Sequence, residues 1–318
     1  MKPPLIILTG PTAVGKTKTS IALANEIGGE IISADSMQVY HHMDIGSAKI
    51  TTQEMQGIPH YLIDVLEPEE EFNVTIFQHM AKEAMHTIYA HGHIPIVTGG
   101  TGFYIQALLY DIDFTKGEPD DGYRKELEEL ATQKGAAYLH AMLQEVDPES
   151  AKLIHANNVK RVIRGLEFYH QTNTKISKHN ETEQQKESPY AFAYFVLNDE
   201  RSSLYERIDQ RVDQMISDGL VAEVSALKSR GCNEHMTSMQ GLGYKEILAY
   251  LNGASTLEEA IYILKRDTRH FAKRQLTWFK REQEVIWMNK KEYHYQEREL
   301  LIAMKNELEK RSMIPCQK

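Results

Sequence analysis

The chain has 318 residues, 42% of them hydrophobic and 25% charged, the balance of an ordinary folded protein rather than a disordered or fibrous one. A formal net charge of −9 excludes a surface coated in basic residues for nonspecific nucleic-acid binding, though not a local basic groove. No apolar run approaches the ~20 residues that span a bilayer, and the start shows no signal-peptide pattern, so a cytoplasmic enzyme without a membrane partner is expected.

Leu5, Ile6, Ile7 and Leu8 read as a short buried strand, and 19–27, with Ile21, Leu23, Ala24 and Ile27, as an amphipathic helix. Between them Gly10-Pro11-Thr12-Ala13-Val14-Gly15-Lys16-Thr17 has the full G-x-x-x-x-G-K-[ST] spacing in the strand–loop–helix setting this motif requires. Its glycines let backbone N–H groups turn inward, and the helix N-terminus adds positive potential. Lys16 can neutralise phosphate charge, and the Thr17 hydroxyl is placed to hold Mg2+. A pyrophosphate-type ligand is expected; the motif does not say whose phosphate it is.

Strands follow over 30–35 and 61–65, then a helix over 75–90 with Ile76, Met80, Ala84 and Ile88 at helical spacing. Another strand is expected over 94–98, where Pro95 is tolerable only near its start or at an edge. This alternation predicts an α/β fold, a P-loop NTPase-like parallel sheet flanked by helices, with ligands at the C-terminal strand ends. Thr17, Asp35 and Gly99-Gly100-Thr101-Gly102 all fall at such ends. From about 114 the strand signal stops. Helices are expected over 123–133, 136–145 and 158–170, then a polar stretch over 172–188. A strand over 192–197, helices to 280, a strand over 285–288 and a helix over 297–310 complete the chain. The expected organisation is a P-loop core over 1–112 and 192–318, interrupted by a helical insertion over 113–191. Cys232 and Cys316 belong to no Cys-x-x-Cys pair, so disulfide and zinc frameworks are not expected.

Beyond the P-loop, Asp35 closes the second strand. A carboxylate there can bind Mg2+, accept a proton from an attacking group, or merely cap the next turn. Ser36 and Gln38 are hydrogen-bonding residues on the same loop, and Gln can pair with an adenine edge. Thr101 supplies a hydroxyl on a glycine-rich loop that is otherwise a tight strand–helix turn. Arg207 and Arg211 share a helix face and suit a clamp on phosphate oxygens, while Asp209 and Asp213 favour a solvated, salt-bridged helix instead. Arg266, Arg269 and Lys273 form a basic stripe that suits either phosphate contact or plain solvation. Lys160, Arg161 and Arg164 add a cluster in the insertion. Tyr123 and Arg124 open its first helix, to stack on or pair with a nucleotide or to sit on an ordinary surface. His91 and His93, flanking Gly92 in a loop, suggest no metal site.

Taken together, these segments resemble the tRNA dimethylallyltransferase (tRNA isopentenyltransferase) family in its bacterial form. The resemblance rests on the P-loop, Ser33-Ala34-Asp35-Ser36-Met37-Gln38-Val39-Tyr40 and Gly99-Gly100-Thr101-Gly102-Phe103-Tyr104. It continues through Arg161-Val162-Ile163-Arg164-Gly165-Leu166-Glu167, Gln240-Gly241-Leu242-Gly243-Tyr244-Lys245-Glu246 and Ala272-Lys273-Arg274-Gln275-Leu276-Thr277-Trp278-Phe279. These pieces stand in family order across nearly the whole chain; Gly165 and Gly241 replace the common Ala.

The resemblance implies transfer of a dimethylallyl group from its diphosphate to the exocyclic amine of adenosine 37, beside the tRNA anticodon. Gly10, Thr12, Ala13, Val14, Gly15, Lys16, Thr17 and Arg211 would then hold the donor diphosphate, with Mg2+ near Thr17. Asp35 would accept the amine proton and Thr101 would orient that amine, once the adenine has left the anticodon stack. Ser36, Met37 and Gln38 would contact the extruded base and its neighbours. Val159, Lys160, Arg161, Val162 and Ile163, with Tyr123 and Arg124, would grip the anticodon stem-loop from the insertion. Gln240, Gly241, Leu242, Gly243, Tyr244 and Lys245 would contact RNA from the core. No obligate protein partner is implied, and a monomer is expected. Two other readings of the same residues are a P-loop small-molecule or nucleoside kinase, with Asp35 deprotonating a hydroxyl, and an RNA-binding module whose P-loop is structural.

Overall fold

The computed structural model describes residues 2–114 and 121–315. Cys316 lies outside the described residues. The chain divides into two compact units, one built from Met1–Leu108 with Pro189–Lys318 and the other from Leu109–Ser188.

The first unit opens with β1 (Pro4–Thr9), whose Leu5, Ile6, Ile7 and Leu8 are all buried. The phosphate loop carries the chain into α1 (Lys16–Ile27), and β2 (Gly29–Ser33) follows at once. The next strand, β3 (His60–Tyr61), is shorter than its apolar run suggests. Leu62 at φ 63° and Asp64 at φ 51° are left-handed, which turns the chain out of the sheet just beyond Tyr61. Helix α2 (Val74–Ala90) starts where the Asn73 side chain accepts the Thr75 and Ile76 N–H groups, then β4 (Ile94–Gly99) and α3 (Gly102–Leu109) follow.

The second unit contains α4 (Asp121–Lys134), α5 (Ala136–Val146), α6 (Pro148–Leu153), α7 (Val159–Thr172) and α8 (Ile176–Gln184). Leu127, Leu139, Leu143, Val162, Ile163 and Leu166 form its core. The polar stretch over 172–188 thus holds a helix. Its start is fixed from thirty residues upstream: the fully buried Asp147 accepts the Ser177 N–H at 2.9 Å and hydroxyl at 2.7 Å, besides capping α6 through Ser150. A helix whose cap comes from elsewhere in the chain leaves no capping signal in its own sequence.

The chain then returns as β5 (Ala191–Asn198), α9 (Arg201–Ser217), α10 (Leu220–Ser229), α11 (Tyr244–Leu251) and α12 (Leu257–Phe279). It closes with β6 (Val285–Asn289) and α13 (Glu297–Lys310). All six strands pair in parallel in the order β3-β2-β4-β1-β5-β6. Pro95 is the second residue of the interior strand β4, near its start. An α/β fold with a parallel sheet flanked by helices is therefore the architecture. β1 lies next to β4, which in turn lies next to β2, so the phosphate loop emerges at the same edge as the C-terminal ends of β4 and β2.

Candidate active site

A cavity of about 520 Å³ opens at those strand ends. Thr12, Ala13, Gly15, Lys16 and Thr17 line one side, Asp35 and Gln38 another, and Arg207 and Arg211 of α9 a third. Gly10 and Val14, by contrast, are buried and shape the loop from behind.

Lys16 and Arg211 are the cations of this cavity that face a carboxylate across it. Burial pushes the Lys16 ammonium down to about 8, against the pull of Asp35 and with Arg211 adding repulsion. Burial also lowers Arg211, again opposed by Asp35. Two desolvated cations near one carboxylate make a site that favours an entering anion. The Lys16 Nζ donates to the carbonyls of Gly10 at 3.1 Å and Pro11 at 3.0 Å, which holds it over its own loop.

Asp35 fills one of the uses open to it, the turn cap, and leaves its other oxygen unbonded. Its Oδ1 accepts the Met37 N–H at 2.9 Å, the turn cap, while Oδ2 has no protein partner among the described residues and the side chain lines the cavity. The Thr101 N–H donates to the Ala34 carbonyl at 3.2 Å, so the second glycine-rich loop is tied to the residue before Asp35. Thr101 itself is half-buried and does not line the cavity. Gln38 lines it but is committed at both ends of its amide: it accepts from the Ser33 hydroxyl at 3.1 Å and donates to the Ala48 carbonyl at 3.3 Å.

The two arginines of α9 diverge. The Arg207 Nε donates to the Ala13 carbonyl at 3.0 Å, and its Nη2 meets the buried Asp199 carboxylate at 2.7 Å. It braces the phosphate loop from the cavity wall, whereas Arg211 lines the cavity with no ion pair among the described residues. The salt-bridged reading of this helix also holds in part, since Asp209 pairs with Arg269 and Asp213 with Lys265. Arg269 is thereby removed from the expected basic stripe. Arg266 is paired with Asp267, which leaves Lys273 exposed without an ion pair among the described residues.

Several expected RNA contacts lie elsewhere than on a surface. Val162 and Ile163 are in the core of the helical unit, because a helix start that packs on α5 must turn its apolar side inward; Lys160, Arg161 and Arg164 are the exposed residues of that segment. Val159 is half-buried against the same core. Arg124 makes a two-pronged pair with the buried Glu167, at 2.7 and 2.6 Å, that binds α4 to α7, and Tyr123 stacks on His170 with ring centroids 4.0 Å apart. In the core unit Tyr244 is wholly buried, its hydroxyl donating to Glu223 at 2.8 Å and accepting the Ser47 N–H at 3.1 Å. Gln240 and Lys245 are exposed, Leu242 is half-buried, and Gly241 and Gly243 are buried. A Cβ on Gly241 would stand 2.5 Å from the Met37 sulfur, so the 240–245 segment packs directly on the loop of Ser36 and Met37, both half-exposed beside Asp35.

Three residues of this region escaped the sequence reading. Gln275, buried on α12, joins the phosphate loop to the Gly100 loop. Its signal was a polar residue in register with the apolar Ala272, Leu276 and Phe279. Glu223 accepts the N–H groups of Asp44, Ile45 and Gly46 at 2.9, 2.7 and 3.1 Å, which holds the loop that brings Ser47 to the cavity. Lys290 places its Nζ 2.8 Å from where a Gly15 side chain would begin. Neither of these last two carried a local signal. His91 and His93, which carried no metal signal in the sequence, are brought by the fold onto the buried Glu30, with ligand atoms close enough to hold a metal ion.

No described helix is long and apolar enough to cross a membrane. A family model described as IPP transferase matches residues 38–282. A tRNA dimethylallyltransferase of Lachnoclostridium phytofermentans is 64% identical over 291 residues, covering 92% of this chain and 93% of that one. Another of Carboxydothermus hydrogenoformans is 50% identical over 289 residues, covering 91% and 93%. The crystal structure of a full-length tRNA isopentenylpyrophosphate transferase from Bacillus halodurans superposes with a TM-score of 0.73 at 42% identity, over 98% of this chain and 99% of that one. A eukaryotic dimethylallyltransferase acting on tRNA gives 0.78 at 30% identity, over 90% of this chain and 74% of that one. The cavity with its phosphate loop therefore sits in an enzyme, and the chain belongs to the IPP transferase family, that of the tRNA dimethylallyltransferases.

Proposed function

We propose that the protein transfers a dimethylallyl group from dimethylallyl diphosphate to the exocyclic amine of adenosine 37 in tRNA and releases diphosphate. The observation that carries this reading is one cavity lined by Lys16, Arg211 and the uncommitted oxygen of Asp35. In the reaction the bond between the prenyl C1 and the diphosphate oxygen breaks, its electron pair leaving with the diphosphate. The amine nitrogen forms the new bond to C1, and its proton passes to Asp35. Lys16, Arg211 and the loop N–H groups stabilise the charge that grows on the leaving group.

The Thr17 hydroxyl is a hard oxygen donor lining the same cavity and, with oxygens of the diphosphate, would suit Mg2+. When bound, the ion would neutralise negative charge on the diphosphate. Ser36, Met37 and the exposed Gln240 and Lys245 offer the nearest surface to an extruded adenine and its neighbours. In the helical unit Lys160, Arg161 and Arg164 are the phosphate-contacting residues for the anticodon stem-loop. The protein acts as a monomer in this reading.

The test is incubation with unmodified anticodon stem-loop RNA, Mg2+ and dimethylallyl diphosphate, followed by nucleoside mass spectrometry. One added prenyl group on the adenosine beside the anticodon is expected. No gain, together with ATP consumption on a small acceptor, would overturn the proposal in favour of a kinase.

A further inference from the structure

The far end of the sheet carries a second group of polar side chains. Glu30, the second residue of β2, is 1% exposed. Its Oε2 accepts the Tyr61 hydroxyl at 2.6 Å, and its Oε1 lies 2.8 Å from the Nδ1 of His91 and 2.6 Å from the Nδ1 of His93. Both imidazoles, in the turn from α2 to β4, are about half exposed, at 48% and 46% of their side-chain surface. The three ligand atoms all lie within 4.8 Å of one another.

A carboxylate this deeply buried needs a compensating positive charge. Among the described residues no Lys or Arg pairs with Glu30; the two histidines are its only ion-pairing partners. That compensation comes from imidazole N–H donors or from a cation held between the three groups. The arrangement suits the cation. One carboxylate oxygen is fixed by Tyr61, as the outer hydrogen bonds of metal sites fix a ligating carboxylate, and the other faces both ring nitrogens. Ligands on a tetrahedral ion with bonds near 2.1 Å stand about 3.4 Å apart, so the two imidazoles need retreat by only about 0.6–0.8 Å. The half-exposed rings leave a side open to solvent for entry and for water as a further ligand.

We propose that Glu30, His91 and His93 form a binding site for a Zn2+-type transition-metal cation, separate from the catalytic cavity. Two imidazoles with one carboxylate favour Zn2+, Co2+ or Ni2+ over Mg2+, which takes oxygen donors. Glu30 and Asp35 lie at opposite ends of the same stretch of chain, roughly 15 Å apart by strand rise. Bound there, the ion pins the α2–β4 turn to β2 and acts on stability, with no part in the prenyl transfer.

The experiment uses the metal-stripped, full-length protein in saturating Mg2+, titrated with Zn2+ by calorimetry and with Co2+ by visible absorption. One equivalent of Zn2+ is expected, with Co2+ bands of a nitrogen–oxygen donor set and a Zn2+-dependent rise in melting temperature. His91→Ala and His93→Ala should each weaken binding about tenfold or more, and the double variant should lose both the binding and the melting shift. These rings are half exposed, so the variants should fold in the absence of metal. Glu30→Gln adds a third check, and if it does not fold, the two histidine variants decide. No bound equivalent in the parent protein, or unchanged binding in the double histidine variant, would overturn the proposal whatever the outcome of the prenyl-transfer assay.

Discussion

Gln275 holds Thr12: its Oε1 accepts the Thr12 N–H at 2.8 Å across 263 residues of sequence. Its Nε2 donates to the Gly100 carbonyl at 2.9 Å, so one buried carboxamide fastens the phosphate loop to the second glycine-rich loop. A Cβ on Gly100 would stand 2.1 Å from the Gln275 nitrogen, so a side chain there would displace the carboxamide. Replacing Gln275 by Leu orphans a backbone N–H and a carbonyl at once. A loss of about 1–3 kcal/mol is expected in urea unfolding, with a raised KM for the prenyl donor. An unchanged donor KM would restrict Gln275 to a purely structural part.

Asp35 has one oxygen on the Met37 N–H and one free for chemistry, and two substitutions separate these uses. Asp35→Asn keeps the cap but has no basic oxygen; Asp35→Ala loses both. Single-turnover rates should fall by about 10²–10⁴ in either variant, while anticodon stem-loop affinity stays near that of the parent in Asp35→Asn. A rate near the parent's in Asp35→Asn would remove the carboxylate from proton transfer.

Glu223 gathers three consecutive N–H groups and the Tyr244 hydroxyl on one carboxylate. In Glu223→Ala the Asp44–Ser47 loop loses its anchor, at a cost of about 3 kcal/mol for bonds of this charge-assisted kind. Amide exchange at residues 44–48 should accelerate well beyond any change in the sheet. Equal protection of that loop in both proteins would contradict the anchoring.

Glu282, just beyond α12, is pushed up to about 7 by burial, with the Trp278 indole and Arg281 pulling the other way. Its pKa in the folded chain lies above the unfolded value, so the folded form binds more protons between about pH 4.5 and 7. This group's contribution to stability therefore falls as pH rises through that window and levels off above 7. Glu282→Gln should be more stable than the parent at pH 8, by on the order of 1–2 kcal/mol after solvent screening, and should show no such gain at pH 4.5. Urea unfolding at the two pH values checks this; an equal effect at both would contradict it.

What was legible in the sequence was what short-range chemistry encodes. Alternating strands and helices gave the parallel sheet, because crossover connections leave that pattern in the chain. The glycine spacing with Lys16 and Thr17 placed the phosphate loop, and the motifs in order gave the family. Tertiary packing alone decided which member of each motif faces the cavity. Arg207 and Arg211 are equivalent in a helical pattern and both line the cavity, yet the buried Asp199 claims the first and leaves the second without an ion pair among the described residues. Val162, Ile163 and Tyr244 stand in segments expected from the sequence to contact RNA, yet their side chains complete cores. His91 and His93 meet Glu30 only because β2 and β4 pair side by side, with Glu30 opposite Pro95. Local periodicity fixes which way a side chain points along its own element. Which partner waits there depends on residues tens to hundreds of positions away, and only the folded sheet brings them together.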